Sequence, residues 1–257
     1  MKAARSRSRL FCVAACESWR KSSMSIKLVM GHVRSFSAPL SLVLILFPTL
    51  ANRTLAQQKK QTYYAIFVDN SGSLRSQFED EVQLADQILE RIPTPNIGTL
   101  FHFKTEQKKN PTAVVTECLG WTQEKFLLKQ CLDGLFVVPG QTALLDAVDS
   151  ILDSVIAKAG SNSSADRIMF LITDGEERNS QIKKKQLLEK LRNSNVRVYI
   201  VGLVKELDNP AFYGGTSGKD KAIDLLNNMA KESGGRAVFL KSGRIDALEL
   251  LNKLFLN

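Results

Sequence analysis

Oxygen-bearing side chains follow two apolar runs of this sequence, at the points where strands would end. The segment Asp-Asn-Ser-Gly-Ser at 69–73 comes directly after the apolar run 63–68, and Asp174 follows the run 168–173. Carboxylate and hydroxyl oxygens are the ligands that hard cations such as Mg²⁺ prefer in proteins. Two carboxylates roughly neutralise a divalent ion, and neutral hydroxyls leave it able to attract a further ligand. The pattern therefore predicts a divalent-cation site.

A third polar segment, Gly-Gln-Thr at 140–142, precedes a strongly periodic helix and supplies another hydroxyl. Gly72 permits a tight turn, so that the serines on either side of it can point at one place. Taken singly, Asp or Ser before a helix is usually an N-cap, and Asp-Gly is usually a turn. Because the segments occur together, the cation site is the stronger interpretation. The predicted ligands are Asp69, Ser71, Ser73, Thr142 and Asp174.

Apolar runs with strand character alternate with amphipathic helices, which is typical of an α/β protein with a mostly parallel sheet. We expect six strands in a doubly wound sheet, with helices on both faces. Ligands of such sheets bind at the carboxyl ends of the strands, where Asp69 and Asp174 are expected. The predicted strands are 63–68, 99–103, 113–118, 168–173, 197–203 and 237–240. The predicted helices carry apolar stripes within 78–92, 145–155, 184–193, 222–229 and 245–255.

Residues 1–56 have the features of a secretory signal peptide. An apolar run from Pro39 to Leu50 follows Arg34 and precedes a small residue, Ala56. This leader is long, and translation starting at Met24 or Met30 would shorten it. We therefore predict an exported protein, periplasmic or secreted, with a polar linker at 57–61 and one domain at 62–257. An uncleaved N-terminal membrane anchor is the alternative.

The basic charge of the whole chain belongs mainly to this leader. Residues 1–56 carry nine of the 35 Lys and Arg residues and one of the 26 acidic residues, so the remainder has a net charge of +1. A nearly neutral domain lacks the electrostatic footprint of a nucleic-acid-binding protein. We therefore expect no nucleic-acid partner, and contact with a membrane only if the leader is retained.

Two cysteines, Cys118 and Cys131, remain once the leader is removed. Export would place them in an oxidising compartment, where disulfides persist. A bond between them would close a loop of about 14 residues and stabilise the fold by about 3 kcal/mol in the chain-entropy model. Two independent thiols are the other interpretation, and the sequence leaves both open.

Together, the segment 69–73, Thr142 and Asp174 resemble the metal-ion-dependent adhesion site of the von Willebrand factor type A (VWA) domain family. The resemblance covers roughly residues 62–255 and includes Thr-Asp-Gly-Glu-Glu at 173–177, which is typical of bacterial members. It implies a Rossmann-like fold that binds a protein partner through Mg²⁺, or Mn²⁺ or Ca²⁺, usually without catalysis. A carboxylate of the partner would complete the ion's coordination, and no small-molecule cofactor is expected.

Enzymatic alternatives have weaker support in the sequence. His102 lies within an apolar run and no Gly-x-Ser-x-Gly segment is present, which disfavours a serine hydrolase. The glycine-rich segment 214–219 lacks the spacing of a phosphate-binding loop. A metal-dependent hydrolase that uses Glu176 or Glu177 stays open, as does a structural domain with a vestigial site. Four segments beside the expected site would select the partner: Leu74–Gln77, Pro139–Gln141, Glu176–Ser180 and Asp208–Lys219. We also expect Asp174 to lie on a surface loop.

Overall fold

The computed structural model describes residues 60–106, 112–139, 142–161, 164–207, 217–240 and 252–254. All of them belong to one compact unit, Leu55–Asn257. The predicted leader, most of the segment 208–219 and most of the predicted C-terminal helix lie outside the described residues.

The described residues form one sheet of six strands in the spatial order β3-β2-β1-β4-β5-β6. Every neighbouring pair is parallel except β2 and β3, which are antiparallel. The strands are β1 (Thr62–Val68), β2 (Ile97–Glu106), β3 (Thr112–Thr122), β4 (Asp166–Thr173), β5 (Arg197–Gly202) and β6 (Arg236–Phe239). The predicted fold, a doubly wound and mostly parallel six-stranded α/β sheet of Rossmann-like type, is confirmed.

Helices cover both faces of the sheet because the buried strands alternate their side chains between two apolar cores. In β1, Ala65 and Phe67 enter one core, whereas Tyr64, Ile66 and Val68 enter the other. The first core is closed by α3 (Leu144–Ala159), α4 (Lys184–Asn193) and α5 (Gly218–Glu232), and the second by α1 (Phe78–Arg91) and α2 (Lys125–Asp133). Short 3₁₀ turns occur at Gly72–Leu74 and Val204–Leu207.

The chain order of the strands reverses at β1, whose neighbours are β2 on one side and β4 on the other. This position is the topological switch point, where the connections leaving neighbouring strands diverge and open a crevice. The crevice lies beyond Val68 and Thr173, the last residues of β1 and β4. The fold therefore places the segment 69–73 and Asp174 side by side.

Helix α2 is an element that the sequence patterns did not indicate. Only two of its nine residues, Leu128 and Leu132, are buried, so its apolar stripe is too short to stand out. It packs beside β3, which runs four residues beyond the predicted end of that strand. Cys118 of β3 and Cys131 of α2 form a disulfide, with Cα atoms 6.3 Å apart, and this bond ties the edge strand to the helix.

None of the helices among the described residues has both the length and the apolar character needed to span a bilayer.

Candidate metal centre

The first predicted ligand, Asp69, is fully buried immediately after β1. Its backbone N–H donates to the carbonyl of Ile172 at 3.0 Å, so the pairing of β1 with β4 continues into the site. One carboxylate oxygen accepts from the backbone N–H of Ser71 at 3.2 Å. The other accepts from the Thr173 hydroxyl at 2.6 Å, a partner that the sequence did not assign. The signal in the sequence that could have identified Thr173 is its position as a hydroxyl residue at the end of β4.

The two serines of the first segment lie together. The Oγ atoms of Ser71 and Ser73 are 3.0 Å apart. The Ser73 side chain lowers the pKa of Asp174 by hydrogen-bonding interaction with the carboxylate, and the Ser71 side chain acts in the same way on Asp69. The structure therefore brings these four predicted ligands together at the crevice.

Asp174 is only 2% exposed, so the expectation of a surface loop was wrong. The next residue, Gly175, has a φ of +79° and is closely covered by α5. A Cβ atom on Gly175 would lie 3.0 Å from side-chain atoms of both Ala222 and Leu226. The α5 helix therefore packs directly on the turn that follows the buried aspartate. One Asp174 carboxylate oxygen accepts from the backbone N–H of Glu176 at 2.8 Å.

Thr142, the fifth predicted ligand, is buried two residues before α3. Its backbone carbonyl accepts from the backbone N–H of Arg178 at 3.0 Å, which ties the Thr142 segment to the loop that follows Asp174. Residues 140 and 141 lie outside the described residues. The segment that carries Thr142 is thus bonded to the loop that follows Asp174, as a site shared by the two segments requires.

Asn70 anchors the first segment, although no role for this residue was predicted from the sequence. Its side chain pairs with the Phe103 backbone: the amide oxygen accepts from the N–H at 2.7 Å, and the amide nitrogen donates to the carbonyl at 3.1 Å. The amide nitrogen also donates to the carbonyl of Phe136 at 2.7 Å. The Asn70 carbonyl accepts from the N–H of Val138 at 2.8 Å. These bonds hold the serine-bearing turn against β2 and the segment after α2.

Glu177 stabilises the start of a helix that is distant in sequence. Its carboxylate accepts from the backbone N–H of Leu145 in the first turn of α3 at 2.9 Å. It also accepts from the backbone N–H and the hydroxyl of Ser180, at 2.8 and 2.7 Å. Unpaired N–H groups at a helix start favour such a carboxylate. Glu176 instead forms an ion pair with Arg178.

The sequence matches the model of the von Willebrand factor type A domain over residues 65–253. The chain belongs to this family. The match covers all six strands from Ala65 onward and includes every residue of the candidate metal centre. Family membership, which the motifs indicated, is therefore confirmed.

Solved structures with the same fold share little sequence with this VWA domain. One is an aerotolerance-related membrane protein from Bacteroides fragilis NCTC 9343 carrying multiple mutations to serine, at 14% identity and a TM-score of 0.54, with 76% of this chain and 96% of that chain covered. A second is the conserved hypothetical protein BatB from Bacteroides thetaiotaomicron, at 13% identity and a TM-score of 0.52, covering 76% and 98%. A third is the SpRpn10 VWA domain, at 15% identity and a TM-score of 0.50, covering 76% and 95%. No curated protein matches the sequence.

The donor atoms of this VWA domain fit a hard divalent cation. Ligand oxygens at 2.0–2.1 Å in an octahedron lie about 3 Å apart along each edge, which is the separation of the Ser71 and Ser73 oxygens. No three His, Cys, Asp or Glu side chains cluster in the described part of the chain. The site thus offers two carboxylates and neighbouring hydroxyls, which are ligands suited to Mg²⁺ or Mn²⁺.

The burial of the two aspartates of the VWA domain is only partly compensated by positive charge, since Arg178 lowers the pKa of Asp174. Burial, and secondly the charge of Asp174, raises the pKa of Asp69 to about 7. Burial is also the main cause that raises the pKa of Asp174. No salt bridge joins either carboxylate to a basic side chain in the described ranges. A bound cation would remove this repulsion, so the residues fit the ion in charge as well as in donor type.

We expect the metal-free protein to lose stability as the pH rises from about 4 to about 7. The pKa of Asp69 is near 3.8 in the unfolded chain and about 7 in the folded protein. The folded state therefore holds this proton more tightly, and its advantage disappears as the pH passes through the folded pKa. The loss attributable to Asp69 is on the order of 4 kcal/mol, because one pH unit corresponds to about 1.4 kcal/mol.

Urea denaturation in EDTA between pH 4 and pH 8 measures this dependence. Asp69→Asn is expected to flatten the dependence of the free energy of unfolding on pH. In the wild-type protein, Mg²⁺ is expected to restore at pH 8 the stability that is lost in EDTA. A curve of the same slope in both proteins would contradict the assignment.

Proposed function

We propose that this VWA domain binds a protein partner through a divalent cation, Mg²⁺ or Mn²⁺. The cation would be held by side chains from three loops, and an acidic side chain of the partner would complete its coordination. The observation that carries the proposal is the pair of serine oxygens, 3.0 Å apart, beside two buried carboxylates that form no salt bridge within the described ranges. The proposed ligands are Asp69, Ser71, Ser73, Thr142 and Asp174.

The burial pattern of the ligands supports approach from one side. Asp69, Ser71, Thr142 and Asp174 are buried, whereas Ser73 is exposed to solvent. The carboxylates therefore hold the inner side of the site, and the partner would reach it past Ser73. A bound cation would supply an electrophilic centre for the partner's carboxylate, because neutral hydroxyls leave part of its charge uncompensated.

VWA domains are generally interaction modules rather than enzymes, and the contacts around this site agree with such a role. A hydrolase would need a free acid or base beside the ion. Glu177 is engaged by Leu145 and Ser180, and Glu176 by Arg178. His102 is part of β2, where its Nδ1 lies 2.8 Å from the Phe103 carbonyl and burial lowers its pKa. These groups have structural roles.

Export of the domain is part of the proposal. The predicted signal peptide and the disulfide between Cys118 and Cys131 both suit an oxidising compartment. A structural neighbour from Bacteroides fragilis is named as a membrane protein, which supports a location at the cell envelope.

Cation-dependent capture of a partner tests the proposal. Immobilised protein is incubated with cell-envelope extract in Mg²⁺ or in EDTA, and captured proteins are identified by mass spectrometry. We expect specific partners to be retained in Mg²⁺, released by EDTA and lost with Ser71→Ala, because the serine hydroxyl is a proposed ligand. Ser150→Ala, at an exposed position of α3, is the matched control.

Three results would contradict the proposal. Partner binding that persists in EDTA would remove the role of the ion. The absence of heat on titration with Mg²⁺ and Mn²⁺ would indicate a vestigial site. Turnover of an ester or phosphoester that Asp69→Ala abolishes would indicate a hydrolase instead.

A further inference from the structure

Glu81, in the first turn of α1, is a buried acid without a visible partner. It is 0% exposed, and neither of its carboxylate oxygens has a hydrogen-bond partner in the part of the chain that the structure describes. Burying a carboxyl group without hydrogen bonds is costly, and a buried charge needs compensation. The burial of Glu81 could not be predicted from the sequence, because this residue is one of three consecutive acids at the start of a helix.

The helix face that carries Glu81 covers the strand ends that form the candidate metal centre. Gln77 lies one turn before Glu81, on the same face. Its side-chain amide donates to the carbonyl of Leu203 at 3.5 Å, and the Leu203 N–H donates to the carbonyl of Thr173 at 2.8 Å. The same face continues with Leu84 and joins the core that contains Val68 and Ile172. These two core residues directly precede Asp69 and Thr173.

The electrostatic surroundings of Glu81 agree with this position. Burial raises the pKa of Glu81 well above its ordinary value, and the charges of Asp69 and Asp174 raise it further. Asp80 also contributes, from the adjacent position of the helix. Glu81 therefore shares one low-dielectric region with both carboxylates of the centre. It is not a third ligand of a common ion, since the three acids do not form a ligand cluster.

We propose that Glu81 is a positioning residue of the metal centre, whose buried carboxylate adds a third negative charge behind Asp69 and Asp174 and thereby strengthens cation binding. The inference rests on the proposed function and deepens it. In the metal-free protein, three neighbouring acids repel one another or must take up protons. When a divalent cation is bound, the same charge attracts it through a medium of low dielectric. Glu81 thus lowers the stability of the empty domain and raises its affinity for the ion.

The test therefore has two expected directions: removal of the Glu81 charge should raise the stability of the metal-free domain and lower its affinity for the ion. In Glu81→Gln, which keeps the side-chain shape, we expect the melting temperature in EDTA at pH 8 to rise by several degrees, because the cost of keeping this buried acid either charged or protonated is removed. We expect affinity for Mg²⁺ and Mn²⁺, measured by titration calorimetry, to fall about tenfold, in line with charge interactions inside proteins. A residue needed only for packing would not raise stability and weaken ion binding together.

The controls separate charge from structure. Glu79→Gln removes the same charge from an exposed position two residues earlier in α1 and is expected to change neither quantity appreciably. Glu81→Asp keeps the charge and is expected to retain most of the affinity. Glu81→Leu, an apolar side chain of similar size, serves if the glutamine variant does not fold, and it is expected to weaken ion binding in the same way.

The outcomes distinguish this inference from the proposed function. Equal ion affinity in the wild type and in Glu81→Gln or Glu81→Leu would overturn the role of Glu81 and leave the proposed function standing. An affinity for Glu81→Asp as low as that for Glu81→Gln would also overturn it, because the charge would not be the cause. A wild-type protein that binds neither ion would overturn the proposed function, and this inference with it.

Discussion

Asp174→Asn is expected to abolish binding of Mg²⁺ and Mn²⁺, with a loss of affinity of at least about a hundredfold. The substitution removes one of the two negative charges at the centre, and charge interactions are strong where the carboxylate is only 2% exposed. The asparagine oxygen can still accept from the Glu176 N–H, which the wild-type carboxylate accepts at 2.8 Å. We therefore expect the metal-free variant to fold and to be at least as stable as the wild type at pH 8.

Calorimetric titration with both ions, together with thermal melts in EDTA, tests this expectation. The matched control is Asp224→Asn, which removes the same charge from an exposed position in α5 that pairs with Lys184. The control should bind the ions like the wild type. Retention of ion affinity within a fewfold in Asp174→Asn would remove this residue from the proposed ligands. A variant that fails to fold would show that Asp174 has a structural role beyond the centre.

Asn70→Ala is expected to destabilise the domain by about 3–5 kcal/mol. The substitution leaves the N–H and carbonyl of Phe103 and the carbonyl of Phe136 without their side-chain partner, in a region where Asn70 itself is 1% exposed. Each buried polar group left unpaired costs about 1–3 kcal/mol. Because these bonds also hold the turn that carries Ser71 and Ser73, ion affinity should fall even under conditions where the variant is folded.

Urea denaturation measures the loss in stability, and titration calorimetry at low temperature measures the loss in affinity. Asn228→Ala is the control, since the Asn228 amide makes one exposed hydrogen bond within α5. It should change the free energy of unfolding by less than about 0.5 kcal/mol. A loss in Asn70→Ala no larger than in the control would mean that water replaces the three side-chain bonds.

Much of the fold was predictable because it rests on periodicity. Apolar runs such as 63–68 and 168–173 alternate with amphipathic helices, and this order specifies a mostly parallel sheet covered on both faces. The predicted bounds of α4 agree with the structure, and those of α1 differ by one residue. Helix α2 was missed because its apolar stripe consists of two residues. Periodicity does not detect so short an element, whose position is set by its contacts with α1, β2 and β3 and by the disulfide of Cys131.

The residues of the candidate centre could be predicted because they follow strands whose ends could be predicted. Asp69 and Asp174 were expected together because β1 and β4 were expected to end at one edge, and the structure joins them through Ser71, Ser73 and Thr173. The burial of Asp174 was not predictable. It is a property of the tertiary packing, in which α5, more than 40 residues later in the chain, covers the adjacent Gly175.

The sequence by itself determined the α/β architecture, the family and the positions of the oxygen-bearing side chains, because each depends on residue type and local spacing. Only the tertiary structure decided what surrounds those side chains. It showed that Asn70 holds the first turn, that Glu177 accepts from the start of α3, and that Glu81 is buried without a hydrogen-bond partner in the described part of the chain. Burial and charge compensation arise from residues distant in the chain, and local sequence patterns carry no record of them. The burial and the charge of this candidate centre are therefore properties of the fold.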